Sequence, residues 1–174
     1  EMDPDLVATA VRVLDANRAA GTTIATAESC TGGLVMAALT EIAGASDVVD
    51  RGFVTYSNES KMESISVNQD ILETFGAVSI AVAWAMAQGV LKHSHADIAV
   101  AITGVAGPEG GTAKKPVGTV VFARATRGGD PDTVVADVRH FGDLGRTEIR
   151  RQAALVALEL LMPDAGSAVD MPAA

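Results

Sequence analysis

The sequence predicts a three-layer α/β/α domain whose mixed sheet holds about five strands, closing in a C-terminal antiparallel hairpin. Three observations predict it. Segments of helical period alternate with short apolar or β-branched runs. The continuous apolar run over 97–103 stops at a loop carrying Gly104, Gly107, Pro108, Gly110, Gly111 and Pro116. Two stretches of strand-like alternation, 117–125 and 133–141, flank the turn residues Arg127-Gly128-Gly129-Asp130-Pro131.

The elements follow in order. Asp3 and Pro4 read as an N-cap and a first-turn proline, and Leu6, Ala10, Val13 and Leu14 recur at helical spacing up to Gly21. Residues 22–26 are a short β-branched strand, broken by Glu28-Ser29-Cys30-Thr31-Gly32-Gly33, after which 34–42 is helical as far as Gly44. A second strand is expected over 52–56, then a helix start at Asn58 and a further helix across 68–75. A helix capped by Ser79 runs to Lys92, and the strand at 97–103, the hairpin and a last helix over 145–162 complete the domain. One domain over 1–162 is expected, with 163–174 as a disordered tail of Ala, Gly, Ser and Pro. Ligands on such sheets sit beyond the carboxyl ends of the strands, so the turn at Ser29, the Tyr56 segment and the Gly104 loop are expected on one rim.

A chain of 174 residues buries roughly 70% of its unfolded surface. With 48% hydrophobic and 3% aromatic residues, its packing is aliphatic. Thirteen basic against 22 acidic side chains give a formal charge of −9, which excludes broad electrostatic capture of nucleic acid or anionic lipid. Cys30 stands alone, and His93, His95 and His140 offer no zinc spacing. The first residues have no basic and apolar signal pattern, so the expected location is the cytoplasm. The uncharged stretch 74–91 is shortened by the Ser79 cap to a helix of about 18 Å, against roughly 30 Å of hydrocarbon. It reads as buried, and its aliphatic surface suggests burial between subunits of a homodimer or larger homo-oligomer.

Three places carry candidate chemistry. In the turn after the first strand, Ser29 reads either as an N-cap or as a nucleophile beside free backbone N–H groups. Cys30 reads either as a thiol activated by a helix N-terminus or as a small buried side chain. Lys61, in the segment Tyr56-Ser57-Asn58-Glu59-Ser60-Lys61, is a surface lysine or, with its pKa lowered by burial, a general base. The loop from Thr103 to Gly111 has neither P-loop nor dinucleotide spacing, and its glycines serve close ligand approach or a tight turn. Arg146, Arg150 and Arg151 open the last helix, where the macrodipole disfavours cations; they suit an anionic group or a solvated face.

Taken together, Ala27-Glu28-Ser29-Cys30-Thr31-Gly32-Gly33, Arg51-Gly52-Phe53-Val54-Thr55-Tyr56-Ser57-Asn58 with Lys61, Gly76-Ala77-Val78-Ser79, the Thr103 loop and Lys115-Pro116-Val117-Gly118-Thr119-Val120 resemble the CinA C-terminal domain family. The resemblance spans about residues 5–162. It implies a stand-alone amidohydrolase that converts nicotinamide mononucleotide to nicotinate mononucleotide and ammonia, without cofactor or metal. By this resemblance Ser29 is the nucleophile, Lys61 the base, and Tyr56 a proton relay, a tuner of Lys61 or a stacking partner for the pyridinium ring. Thr31, Gly32, Gly33, Ser57, Asn58, Thr103, Gly104 and Gly107 are the expected substrate contacts, with Arg146 and Arg150 anchoring the phosphate. The family's Gly-Asp-Arg pattern is here Gly142-Asp143-Leu144-Gly145-Arg146, two residues longer. Two other readings remain: a nucleotide-binding regulatory module without turnover, and hydrolysis through Cys30.

Overall fold

The computed structural model describes residues 1–133 and 135–165. In chain order the elements are α1 (Pro4–Ala20), β1 (Ile24–Glu28), α2 (Leu34–Thr40), a 3-10 turn (Ala45–Asp47), β2 (Val49–Val54), α3 (Asn58–Ile65), α4 (Gln69–Phe75), α5 (Ile80–Lys92), β3 (Ile98–Gly104), β4 (Thr119–Thr126), β5 (Val135–His140) and α6 (Arg146–Leu160). The strands form one mixed sheet in the order β2-β1-β3-β4-β5. β1 runs parallel to β2 and β3, and β4 runs antiparallel to β3 and β5. The predicted α/β fold with its closing hairpin is the observed one.

The expected helix signals hold. Asp3 accepts hydrogen bonds from the N–H groups of Asp5 and Leu6 (3.0 and 3.1 Å), and Gly21 ends α1 in the left-handed conformation. Ser79 caps α5 by accepting from Val82 N–H at 3.2 Å. The strand edges moved. β1 starts two residues after the predicted position, because the Thr22 and Thr23 amides are drawn to Asn17 O and the Asp97 carboxylate while Ala27 and Glu28 pair with β2 and β3. β2 ends at Val54 rather than at Tyr56, since β1 offers no ladder beyond Glu28. Local β-propensity yields here to the register of the central strand. Only the start of the expected tail, 163–165, is described. Ala165 N–H donates to Met162 O and the buried Arg124 donates to Pro163 O, so these residues are tied down; the rest of that expectation lies outside the described residues.

The two faces of the sheet differ in side-chain size. Toward α1, α2 and α6 it presents Ile24, Ile98, Val100, Ile102, Val120 and Phe122. Toward α5 it presents Ala25, Ala27, Ala99, Ala101, Ala123 and Ala125, with Val121. Small side chains let α5 lie close on the sheet, with Val82, Ala83, Met86, Ala87 and Val90 buried against the alanines. Most of the apolar surface of α5 is thus buried inside this chain, while Ile80 at its start is 48% exposed. Among the described residues, no helix is long and apolar enough to cross a membrane.

Gly89 of α5 controls the next layer. A Cβ there would stand 2.0 Å from the carbonyl oxygen of Ile65, so only glycine admits the end of α3, the helix that carries Lys61. The carboxyl ends of β1, β2, β3 and β5 and the start of β4 share one rim. The β5 exit brings the first turn of α6 to the same rim.

Candidate active site

The rim holds a cleft of about 300 Å³, lined by Ser29, Cys30, Tyr56, Asn58, Lys61, Ala77, Val78, Thr103, Gly104, Val105, Ala106, Gly107, Glu109, Gly110 and Arg146. At its floor the Lys61 ammonium nitrogen lies 3.0 Å from Ser29 Oγ. Both are enclosed: Lys61 is 1% exposed and Ser29 8%.

Each member of the pair is fixed by the backbone around it. Ser29 N–H donates to Ile102 O at 2.9 Å, which extends the β1–β3 pairing one residue past the strand and holds Ser29 at the sheet edge. Lys61 projects from α3, whose N-cap Ser57 accepts from Ser60 N–H at 3.0 Å. Its Nζ also donates to the main-chain carbonyls of Thr55 (2.8 Å) and Tyr56 (3.2 Å), the two residues released from β2. Burial pushes the Lys61 pKa down from 10.5 to about 8. A neutral amine has two protons and one lone pair. With two carbonyls taking the protons, the lone pair is left for the Ser29 hydroxyl, which is the geometry a general base requires.

The turn from Ser29 to Gly33 is held from two sides. Gly32 and Gly33 have φ of +61° and +104°, values that side chains resist, and they turn the chain from strand into helix. Gly32 N–H donates to Ser29 O, and Leu34 N–H to Thr31 O, both at 3.0 Å. Glu28, fully buried, accepts from Thr31 Oγ1 (2.7 Å) and from the N–H groups of Val35 (2.9 Å) and Met36 (3.1 Å). This carboxylate caps α2, whose N-cap residue Gly33 has no side chain to do so. Among the described hydrogen bonds, none is donated by Cys30 or Thr31 N–H to another residue.

These contacts decide between the readings open in the sequence. Ser29 is not an N-cap, because its hydroxyl bonds Lys61 and approaches Tyr56 O at 3.4 Å. Lys61 is not a surface lysine. Cys30 is not an activated thiol: it is buried, and desolvation pushes its pKa up to about 11, since α2 begins only at Leu34 and its dipole is answered by Glu28.

The remaining expected site residues separate into those at the cleft and those behind it. Asn58, Thr103, Gly104 and Gly107 line the cleft; the Thr103 hydroxyl donates to Ala77 O at 2.9 Å. A Cβ at Gly104 would come within 2.9 Å of Thr119 O, so its glycine serves the packing of β3 on β4. Tyr56 is 60% exposed at the mouth; its phenol oxygen accepts from Arg146 at 3.0 Å, and only its carbonyl reaches Lys61. Arg146 also donates to Gly107 O at 2.8 Å, which leaves it at the mouth facing the cleft.

Thr31, Gly32, Gly33, Ser57 and Arg150 do not line the cleft. Thr31 is wholly buried with its hydroxyl on Glu28, Gly33 packs against Val54, and Ser57 serves α3. Arg150 donates instead to Cys30 O and Thr31 O, each at 3.1 Å. Sequence reasoning missed the bracing role of Glu28, the carbonyls of Thr55 and Tyr56, and Glu109 at the cleft. The signal for Glu28 was legible: an acidic side chain just before a helix that starts at Gly-Gly, with no Ser, Asp or Asn to cap it. Main-chain carbonyls leave no such signal. Among the described residues no cluster of three or more His, Cys, Asp or Glu side chains is arranged to hold a metal.

Fold and site together define a class, an α/β domain that presents a serine hydroxyl to a buried lysine amine at the carboxyl rim of a mixed sheet. Residues 7–164 match the CinA C-terminal domain, and the chain belongs to that family. It is 48% identical over 159 residues to the nicotinamide-nucleotide amidohydrolase PncC of Escherichia coli (strain K12), covering 91% of this chain and 94% of the relative. A CinA-like protein of Syntrophotalea carbinolica is 50% identical over 141 residues, 81% of this chain but 33% of that longer protein. Among solved structures, the competence/damage inducible protein CihA from Agrobacterium tumefaciens superposes with a TM-score of 0.88 at 49% identity, covering 92% of this chain and 96% of that one.

Proposed function

We propose that this chain is an amidohydrolase that deamidates nicotinamide mononucleotide to nicotinate mononucleotide and ammonia, with Ser29 as nucleophile and Lys61 as base. The observation that carries the reading is the 3.0 Å contact between Lys61 Nζ and Ser29 Oγ, with the other two amine partners being carbonyls. The named activity of the Escherichia coli relative supplies the substrate class.

Neutral Lys61 takes the Ser29 proton as Oγ attacks the carboxamide carbon, and the developing oxyanion is received by the N–H of Cys30, a residue that lines the cleft. The Lys61 ammonium then returns its proton to the departing nitrogen. Ammonia leaves, and the acyl group remains on Ser29. Water attacks the ester, giving its proton to Lys61; the tetrahedral intermediate collapses, Ser29 recovers a proton from Lys61, and nicotinate mononucleotide is released. The test is ammonia release from the purified protein with nicotinamide mononucleotide, with the nucleotide product identified by mass. Turnover supports the reading; binding of the nucleotide without turnover would support the regulatory module instead.

The phosphate of the substrate is anchored by Arg146. Its guanidinium stands at the cleft mouth on the first residue of α6, where an anion also meets the positive end of the helix dipole. Arg146→Met is expected to raise KM for nicotinamide mononucleotide about 10- to 100-fold, the loss of a charge-assisted hydrogen bond worth about 1.5–3 kcal/mol, with little change in kcat. Steady-state kinetics on nicotinamide mononucleotide and on nicotinamide riboside check it: the variant penalty should vanish for the riboside, which has no phosphate.

A further inference from the structure

We propose that Arg150 is a positioning residue for the nucleophile turn, one that aims the oxyanion-binding amide from behind rather than anchoring the phosphate. The inference rests on the amidohydrolase reading. Arg146 and Arg150 are one helical turn apart on α6 yet serve opposite sides of the same loop. Arg146 lines the cleft, whereas Arg150 does not. Its neighbour Arg151 is paired with the carboxylates of Asp3, Asp5 and Glu148. Arg150 has no ion pair among the described residues, and its guanidinium is committed to two successive main-chain carbonyls, Cys30 O and Thr31 O.

The consequence follows from peptide geometry. In a trans peptide the C=O and the next N–H point in opposite directions within one plane. Holding Cys30 O against α6 therefore fixes the peptide plane that Cys30 shares with the wholly buried Thr31. Holding Thr31 O likewise directs Gly32 N–H, which closes the turn on Ser29 O at 3.0 Å. One guanidinium thus fixes two successive peptide planes, and through the second it locks Ser29 O, whose own peptide carries the Cys30 N–H at the cleft. A cation on Thr31 O also polarises the amide that follows, strengthening Gly32 N–H as the donor that holds Ser29 O. From the other side Glu28 holds the Thr31 hydroxyl at 2.7 Å, so this residue is pinned by both ends. The guanidinium also packs closely, 3.6 Å from where a Gly32 Cβ would stand.

The test is kinetic, with Arg150→Lys and Arg150→Ala. Both are expected to lower kcat about 10- to 100-fold, somewhat less than deletion of an oxyanion donor, with KM for nicotinamide mononucleotide changed less than about threefold. The factor should be the same for nicotinamide riboside, and added guanidinium ion should restore part of the Arg150→Ala loss. A phosphate anchor would instead raise KM for the nucleotide alone, and that result would overturn the proposal. Labelling of Ser29 by a fluorophosphonate gives a readout independent of the substrate. Ser29 Oγ displaces fluoride from phosphorus, its proton goes to Lys61, and the phosphoryl oxygen needs the same amide. The labelling rate should fall by the factor seen in kcat. If the parent labels but does not hydrolyse the nucleotide, the activity reading fails while the labelling comparison still judges Arg150; an unchanged rate in a folded Arg150→Lys protein would refute the positioning role.

Discussion

Lys61→Met is expected to lower kcat/KM for nicotinamide mononucleotide by about 10³-fold or more, and the same loss is expected of Ser29→Ala. The two groups act as one unit, so the double variant should be scarcely worse than either single one. The reason is visible in the partners of the amine: two carbonyls and one hydroxyl leave a single productive direction for the lone pair. The same geometry sets the pH dependence. With a pKa of about 8, Lys61 is protonated and inactive as a base at lower pH. The parent's kcat/KM should therefore rise about tenfold per pH unit below that value and level above it. A pH–rate profile checks this, and a profile flat from pH 6 to 9 would contradict the role given to Lys61.

Burial of Lys61 also makes a sign-specific claim about stability. In the unfolded chain the amine titrates near 10.5, in the native protein near 8. Between these values the unfolded state binds the proton and the native state does not, so unfolding free energy rises with pH across this window. Below about pH 8 both states are protonated and the native protein bears the full cost, about 3 kcal/mol. Relative to Lys61→Met, the parent should therefore gain about 3 kcal/mol of stability from pH 8 to 10.5, and the gap should be constant from pH 6 to 7. Urea unfolding of both proteins across pH reads the difference, in which groups common to both cancel. A parent that loses stability relative to the variant in this window would show that Lys61 is charged and paired in the native state.

The fold was largely legible in the sequence because its signals are local. The Asp3-Pro4 start, the Gly21 end, the Ser79 cap and the hairpin around Gly128 each depend on neighbouring residues. Strand edges were less legible, since Thr22 and Tyr56 have the right side chains for a strand but no ladder to join. The site was legible only through the family's pattern. Ser29 and Lys61 are 32 residues apart, and nothing local reveals that α3, admitted by Gly89, carries an amine under the rim. Read alone, Ser29 has the residue type of a cap, Lys61 that of a surface residue, and Cys30 the place of an activated thiol. Tertiary contacts overturn the first two, and of the two readings open for Cys30 they leave the small buried side chain. Arg150 was the hardest, because a guanidinium that serves main-chain carbonyls looks, in sequence, the same as one that serves a phosphate.

Covalent attack by Ser29 on the substrate amide is tested most directly by the intact mass of the protein quenched in acid during turnover of nicotinamide mononucleotide. The expected result is an adduct equal to the substrate less ammonia, located at Ser29 by peptide mapping and absent from Ser29→Ala. Turnover that persists in Ser29→Ala, with no adduct at Ser29 in the parent, would contradict it.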